Sequence, residues 1–161
     1  YPDGTFHPEE ACTRREMMII LWRYSECPSS SVDPRREYSD MAAFGPDTDT
    51  YKAVAWGIET GIIKGYSDGT FRPNDTICRK DAIIMLYRLL EKPETSGRIL
   101  FIDCPYDKEK NPDTYNAILW ASRKGIARGY YLLWFKPLED CLREHIVTFL
   151  YRADDSLYNF F

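Results

Sequence analysis

The stretch GYSDGTFRPNDTICRK, Gly65 to Lys80, decides how the rest of the chain reads. An Asp-Gly pair, a Pro and then an Arg stand directly before a strongly apolar run, AIIMLYRLLE (82–91). YPDGTFHPEEACTRRE (1–16) makes the same arrangement 65 residues earlier, ahead of MMIILWRYSE (17–26). A third copy lies 64 residues further on, as Tyr130, Phe135, Pro137, Arg143 and IVTFLYRADD (146–155). The segments in front of the loops repeat as well. TYKAVAWGIETGIIKGY (50–66) aligns with TYNAILWASRKGIARGY (114–130), and each follows an aromatic-x-Asp, Tyr38-Ser-Asp40 and Phe101-Ile-Asp103. A fixed period of this length is the mark of a repeat architecture.

One unit therefore reads as an Asp-containing lead-in, helix A, an Asp-Gly loop, helix B and a linker. Tyr51, Val54, Ile58 and Ile62 give helix A of the second copy a single buried stripe. Gly61 supplies its C-terminal stop and Gly65 a flexible exit. Asp68-Gly69 between Tyr66 and Phe71 predicts a two-residue type I′ hairpin, and Pro73 stops the strand from growing. Helix B is apolar on nearly every face, from Met17 to Trp22 in the first copy, so it belongs in the interior. The expected architecture is an all-α pseudo-threefold bundle. Three B helices lie at the centre, with A helices and short hairpin-like loops around them. The boundaries are a half-repeat at 1–27, a linker at 28–37, a repeat at 38–92, a linker at 93–100, a repeat at 101–153 and a tail at 154–161. All are expected to form one folded domain.

Composition excludes several functions. With 44% hydrophobic and 29% charged residues in 161, the chain is long enough to bury a real core. Its net charge of −4 offers no field for nucleic acid, so an anionic partner needs a local arginine cluster. No apolar run reaches the ~20 residues of a membrane span. The chain opens inside a repeat and so reads as a piece of a longer protein. Five cysteines and two histidines show no zinc spacing, and Cys12 and Cys27 flank one helix too far apart to pair. The cysteines read as small apolar fillers. Asp47, Asp49, Asn74 and Asp75 form acidic turns without an EF-hand ligand order. No catalytic set, metal site or cofactor site is legible, so no enzyme is expected.

The arginine before helix B needs a separate reason. Thr13-Arg14-Arg15-Glu16 has capping-box spacing, yet a cation in the first turn opposes the helix dipole. Arg14, Arg79 and Arg143 all occupy this position. One reading is an anion site, a guanidinium fork beside free N–H groups at the helix start. The other is a bridge to a carboxylate of the next repeat, Asp40 or Asp103.

The succession of aromatic-x-Asp, AVAWGIETGIIKGYSDGTFRPNDTICR and a helix ending LYR resembles the S-layer homology domain, most of all its clostridial-type version. The resemblance covers nearly the whole chain, with the second repeat most specific and the third weakest. It implies a pseudo-trimer of three motifs around a central three-helix bundle. It also implies grooves that bind an anionic, often pyruvylated secondary cell-wall polysaccharide. Such a module anchors exported proteins non-covalently to the peptidoglycan-linked glycan, which places it extracellularly on the cell wall. The Arg of the family's Thr-Arg-Ala-Glu motif falls on Arg14, Arg79 and Arg143. Arg14 would work with Asp40 and Trp56, and Arg79 with Asp103 and Trp120, while Asp68 and Gly69 shape a groove wall. Arg would hold a ketal carboxylate, Asp would accept sugar hydroxyls and Trp would stack on a pyranose. Trp56 and Trp120 also have a reading as core residues, and that reading is the favoured one.

The departures from that pattern are specific. Cys78-Arg-Lys-Asp81 loses the Thr cap, Leu142-Arg-Glu-His145 loses the capping box, and the third loop replaces Asp-Gly with Leu132-Leu133. That loop is not expected to make the same turn. With Trp134 it reads as an apolar contact surface, which together with the aromatic tail LYNFF (157–161) gives a rival function as a protein-binding module.

Overall fold

A computed structural model describes residues 4–131 and 133–158, with side chains up to residue 154. The helices are α1 (Arg14–Tyr24), α2 (Pro34–Glu37), α3 (Asp49–Glu59), α4 (Arg79–Leu89), α5 (Pro112–Arg123) and α6 (Arg143–Tyr158). A 3₁₀ turn, Ser39–Ala43, precedes α3, and β-pairing among the described residues is confined to isolated bridges. The all-α class holds. Helix A of the repeat is α3 and α5; helix B is α1, α4 and α6.

The three residues that lead into the B helices meet in a closed ring. Cys12 N–H donates to the Cys141 carbonyl, Cys141 N–H to Ile77, and Ile77 N–H to Cys12, each at 2.8 Å. All three are fully buried. Three repeat-equivalent residues can exchange one hydrogen bond each in this way only around a pseudo-threefold axis. Buried backbone groups must find partners, and here each repeat satisfies the next.

The chain forms two compact units, Thr13–Thr76 and Tyr1–Cys12 with Ile77–Phe161. In the first, α1 packs on α3. Met17, Met18, Leu21 and Val54 are buried there, and a Cβ on Gly57 would strike the Met18 methyl. In the second, α4 packs on α5 and α6, and Ala82 to Tyr87 are buried at every position. Both B helices end alike, with consecutive left-handed residues: Glu26 and Cys27 (φ 65° and 57°), Glu91 and Lys92 (φ 58° and 55°). Cys27 N–H then reaches Trp22 O and Lys92 N–H reaches Tyr87 O, both at 2.9 Å, closing the orphan carbonyls.

Several local expectations are corrected. Helix A stops at Glu59 because Gly61 turns left-handed (φ 69°), so Ile62 is buried beyond the helix rather than along its stripe. Its buried face is Thr50, Ala53, Val54 and Gly57, widened by Ala55 and Trp56, while Tyr51 and Ile58 are only half-buried. Gly65 is no flexible exit: an added Cβ would enter the Tyr38 ring and stand 2.9 Å from Thr70 O. The Asp-Gly loop holds three residues, not two. Tyr66 N–H donates to Thr70 O at 2.9 Å and Gly69 N–H to Tyr66 O at 3.0 Å, with Gly69 alone left-handed (φ 77°). This is a turn with a glycine bulge. Asp68 keeps ordinary φ because its carboxylate accepts from the Thr70 N–H (3.0 Å) and hydroxyl (2.6 Å) and from Arg72 (2.8 Å). The third loop closes at the equivalent pair despite losing Asp-Gly. Tyr130 N–H donates to Trp134 O at 2.6 Å and Trp134 N–H returns to Tyr130 O at 3.1 Å, with Tyr131 left-handed (φ 48°).

Candidate functional site

The arginines of the B helices point inward. Arg14 is 4% exposed, Arg79 2% and Arg143 8%. Arg14 Nε–H donates to Phe71 O at 2.8 Å and its Nη2 reaches Lys64 O at 3.5 Å. Arg79 repeats this on Phe135 O (3.1 Å) and Arg128 O (3.5 Å), and Arg143 on Phe6 O (2.8 Å). Aromatic faces complete each cradle: Tyr66 and Phe71 lie within 4.9 Å of Arg14 Cζ, Tyr130 and Phe135 within 5.3 Å of Arg79 Cζ. A guanidinium is weakly hydrated and flat, which suits it to carbonyl edges and aromatic faces in an interior. The bridge to Asp40 or Asp103 is not formed; carbonyls take its place.

The helix starts are not free either. Arg14 N–H donates to Asp75 O at 2.9 Å and Arg15 N–H to Pro73 O at 3.0 Å. Arg79 and Lys80 do the same with Glu139 O and Pro137 O, and Arg143 and Glu144 with Glu10 O and Pro8 O. The Pro loops, rather than a ligand, satisfy the first donors of each B helix, which removes the backbone part of the expected anion site. At α1 the full capping box is also present, with Thr13 N–H on Glu16 Oε2 at 2.8 Å. Cys78 gives α4 no side-chain cap hydrogen bond.

Asp40 and Asp103 have one shared task. Asp40 accepts Phe71 N–H (2.9 Å) and Arg72 N–H (2.7 Å); Asp103 accepts Phe135 N–H (2.8 Å) and Lys136 N–H (2.7 Å). Between them they hold a basic residue in left-handed conformation directly before a proline. Arg72 and Lys136 both have φ 58°, and His7 in the first copy has φ 51°. A bulky residue at positive φ is strained and persists only where its surroundings enforce it. These residues stand outside. Arg72 lies over the Tyr66 ring at 4.0 Å and Lys136 over Tyr130 at 4.8 Å, both partly exposed. Sequence reasoning missed them, although Phe-basic-Pro occurs in all three copies at the same spacing.

Beside the first of these lies a cavity of about 410 Å³, lined by Asp40, Ala43, Phe44, Arg72, Asn74 and Asp75 among others. Arg14 and Trp56 do not line it. Trp56 (6% exposed) and Trp120 (2%) are core residues, the latter against Tyr87 at 5.5 Å. Asp68 and Gly69 form the hairpin tip, where the Thr70 hydroxyl and Arg72 pull the Asp68 carboxyl down to about 2. Asp49 and Thr48 serve α3, through an ion pair with Arg23 (2.6 Å) and as N-cap, so that turn is structural. None of the five cysteines is in a disulfide. No group of metal-ligating side chains occurs among the described residues, and no described helix is long and apolar enough to cross a membrane.

Residues 1–18 and 38–83 match the family model of the S-layer homology domain. A cellulosome-anchoring protein of Acetivibrio thermocellus is 31% identical over 128 residues, 77% of this chain and 28% of that protein. Cell surface glycoprotein 1 of the same organism is 28% identical over 106 residues, 60% of this chain and 4% of its own length. An endoglucanase of a Bacillus species is 26% identical over 168 residues, 96% of this chain and 17% of the enzyme. The chain spans less than a third of each of these relatives. Through the matched segments the chain belongs to the S-layer homology domain family. The family and the two Acetivibrio relatives put it at the cell surface.

Proposed function

We propose that this chain is a non-covalent cell-surface anchor that binds an anionic, pyruvylated secondary cell-wall polysaccharide through its repeat loops. The observation that carries the reading is the twice-built basic corner. Asp40 holds Arg72, and Asp103 holds Lys136, in a strained conformation that sets a cation beside a tyrosine ring. Each cation also meets a nearby carboxylate, Arg72 on Asp68 at 2.8 Å and Lys136 on Glu139, and remains partly exposed. An outward cation next to an aromatic face suits a carboxylate carried on a sugar ring. Arg14 and Arg79 hold the hairpins in place from behind, and Arg143 does so in the first copy. Asp40, Arg72, Asn74 and Asp75 line the first cavity, while Asp68 and Gly69 form the hairpin tip outside it. Catalysis is no part of this reading; the endoglucanase name belongs to that relative's whole length.

The test is retention on cell-wall sacculi from a Gram-positive anaerobe, half of them stripped of secondary polymer. Arg72→Ala and Lys136→Ala, both checked for folding by circular dichroism, should each weaken retention, and stripping should abolish it. Folded protein that ignores intact walls from several sources would refute the anchor.

A second reading rests on the exposed apolar side chains of the Ile77–Phe161 unit. Leu100, Ile102, Tyr131, Leu133 and Trp134 are exposed, and Ile102 N–H donates to Leu133 O at 3.0 Å, which draws both stretches together. Leu132, the first leucine of the expected contact loop, lies outside the described residues. A protein partner on this patch predicts that Trp134→Ala abolishes its capture while wall retention persists.

A further inference from the structure

We propose that α6 carries a docking strip for an amphipathic helix from outside residues 1–161. The repeat locates it. Each of the first two B helices is covered by an A helix, α1 by α3 and α4 by α5. The third B helix, α6, exposes the positions that the other two bury. Met18 and Ile83 are fully buried, but their counterpart Val147 is 45% exposed. Trp22 and Tyr87 are buried, but Tyr151 is 73% exposed. Val147 and Tyr151 stand four residues apart, on one face of the helix.

Phe6 extends the strip. Its counterparts Phe71 and Phe135 are fully buried against Tyr38 and Phe101, at ring distances of 5.7 and 5.3 Å. Phe6 is 42% exposed, and its carbonyl is held by Arg143 at the start of α6. At three positions, then, the same fold buries an apolar side chain twice and leaves it open once. Covering all three takes apolar surface out of water, which drives the docking of a helix into a groove.

The chemistry of the occupant is set by the two helices that already fill this place. Asp49 in the first turn of α3 pairs with Arg23 at 2.6 Å, and Asp113 in the first turn of α5 with Arg88 at 2.9 Å. Arg152 is the third arginine of that set, and its Nη1 reaches Ile126 O at 3.2 Å. Four and eight residues after the acid come small residues, Ala53 and Gly57 in α3, Ala117 and Ala121 in α5, all buried. They allow close approach of the helices, since a Cβ on Gly57 would strike the Met18 methyl. The occupant is a helix with an acid in its first turn, to meet Arg152, and small residues four and eight positions on, to lie over Val147. Both α3 and α5 are seated on their own B helices. Neither they nor their counterparts in a second copy of this chain are spare to fill the strip.

The experiment is a ¹⁵N NMR titration of the whole chain with two synthetic peptides, residues 46–63 and 110–127 of its own sequence, as helix probes. Each should shift the amides of Phe6, Val147 and Tyr151. Tyr151→Glu, at an exposed side chain, should weaken binding about tenfold, and Gly57→Leu in the first peptide should do the same. Asp49→Arg in that peptide should weaken binding to the unaltered chain, and Arg152→Glu in the chain, checked for folding by circular dichroism, should restore it. Trp134→Ala and Arg72→Ala should leave binding unchanged, which separates this face from the third loop and the hairpin corners. No shift at Phe6, Val147 and Tyr151, equal binding of the Gly57→Leu peptide, or a charge swap that restores nothing in a folded chain would each overturn it. So would a dimer of the chain through Tyr151, seen by sedimentation, that the peptides do not dissolve.

Discussion

Arg14 donates its Nε–H to the carbonyl of Phe71 at 2.8 Å, and the same bond ties Arg79 to Phe135 and Arg143 to Phe6. The family's signature arginine is, in this protein, the peg on which each hairpin hangs. That relationship reorders the experiments. An alanine at Arg14 removes a buried charged donor together with the cation–aromatic contacts behind the loop.

Arg14→Ala should therefore cost about 2–4 kcal/mol of stability in urea unfolding, since charge-assisted hydrogen bonds contribute ~1.5–3 each. Arg14→Lys should recover little, because one ammonium cannot copy the Nε and Nη2 geometry. Arg72→Ala, at an exposed side chain, should leave the urea midpoint close to that of the unaltered protein. A result with Arg14→Ala as mild as Arg72→Ala would refute the peg.

Two glycines owe their place to close approach. Gly65→Ala would drive a methyl into the Tyr38 ring, and Gly129→Ala into the Phe101 ring with Trp134 O 2.8 Å away. Each should destabilise by about 1–3 kcal/mol or more. Gly45→Ala is the control: nothing lies within 4 Å of its added Cβ and its φ is not positive, so it should be neutral or mildly stabilising. Thermal denaturation of the three variants side by side decides this. Equal melting temperatures would show that the close contacts are not maintained in solution.

His145 predicts an acid-sensitive fold. Burial, then the nearby Arg79 charge, lowers its pKa below the ordinary value of 6.5, against the opposing pull of Glu144 and Glu139. The unfolded chain then binds the proton more readily than the folded one. Stability from this group is whole above about pH 6.5 and falls as pH drops towards the folded pKa. His145→Gln should flatten the stability profile between pH 7.5 and 5.5, read by urea midpoint. An unchanged slope would assign the acid sensitivity elsewhere.

Cys27 is exposed, while Cys12, Cys104 and Cys141 are buried and Cys78 half-buried. Burial pushes the Cys104 and Cys141 thiols up to about 12 and raises Cys78, so at pH 8 their reactive thiolate is scarce. A thiol reagent should find one fast site in native protein and five after denaturation. Cys27→Ser should abolish the fast phase.

Much of this molecule was legible in its sequence because repetition converts weak local signals into a strong one. The B helices, the Gly61 stop, the Thr13 capping box and the threefold relation all follow from the period and local residue chemistry. Local chemistry also marked Asp40, Asp103 and the arginines as devices, since each recurs at one position. What they do was beyond it. A carboxylate before helix A and a Phe-basic-Pro 31 residues later meet only when the chain folds, and only then does Asp40 turn out to hold Phe71 and Arg72. Arg14 likewise looked like an anion fork, because a charged side chain seen in one dimension defaults to solvent. Folding placed it under its neighbour's hairpin, where desolvation is offset by carbonyls and aromatic faces, and left Arg72 and Lys136 on the outside. Sequence spacing determined which residues recur; only the packing of distant segments decided which cations are buried and which stand at the surface.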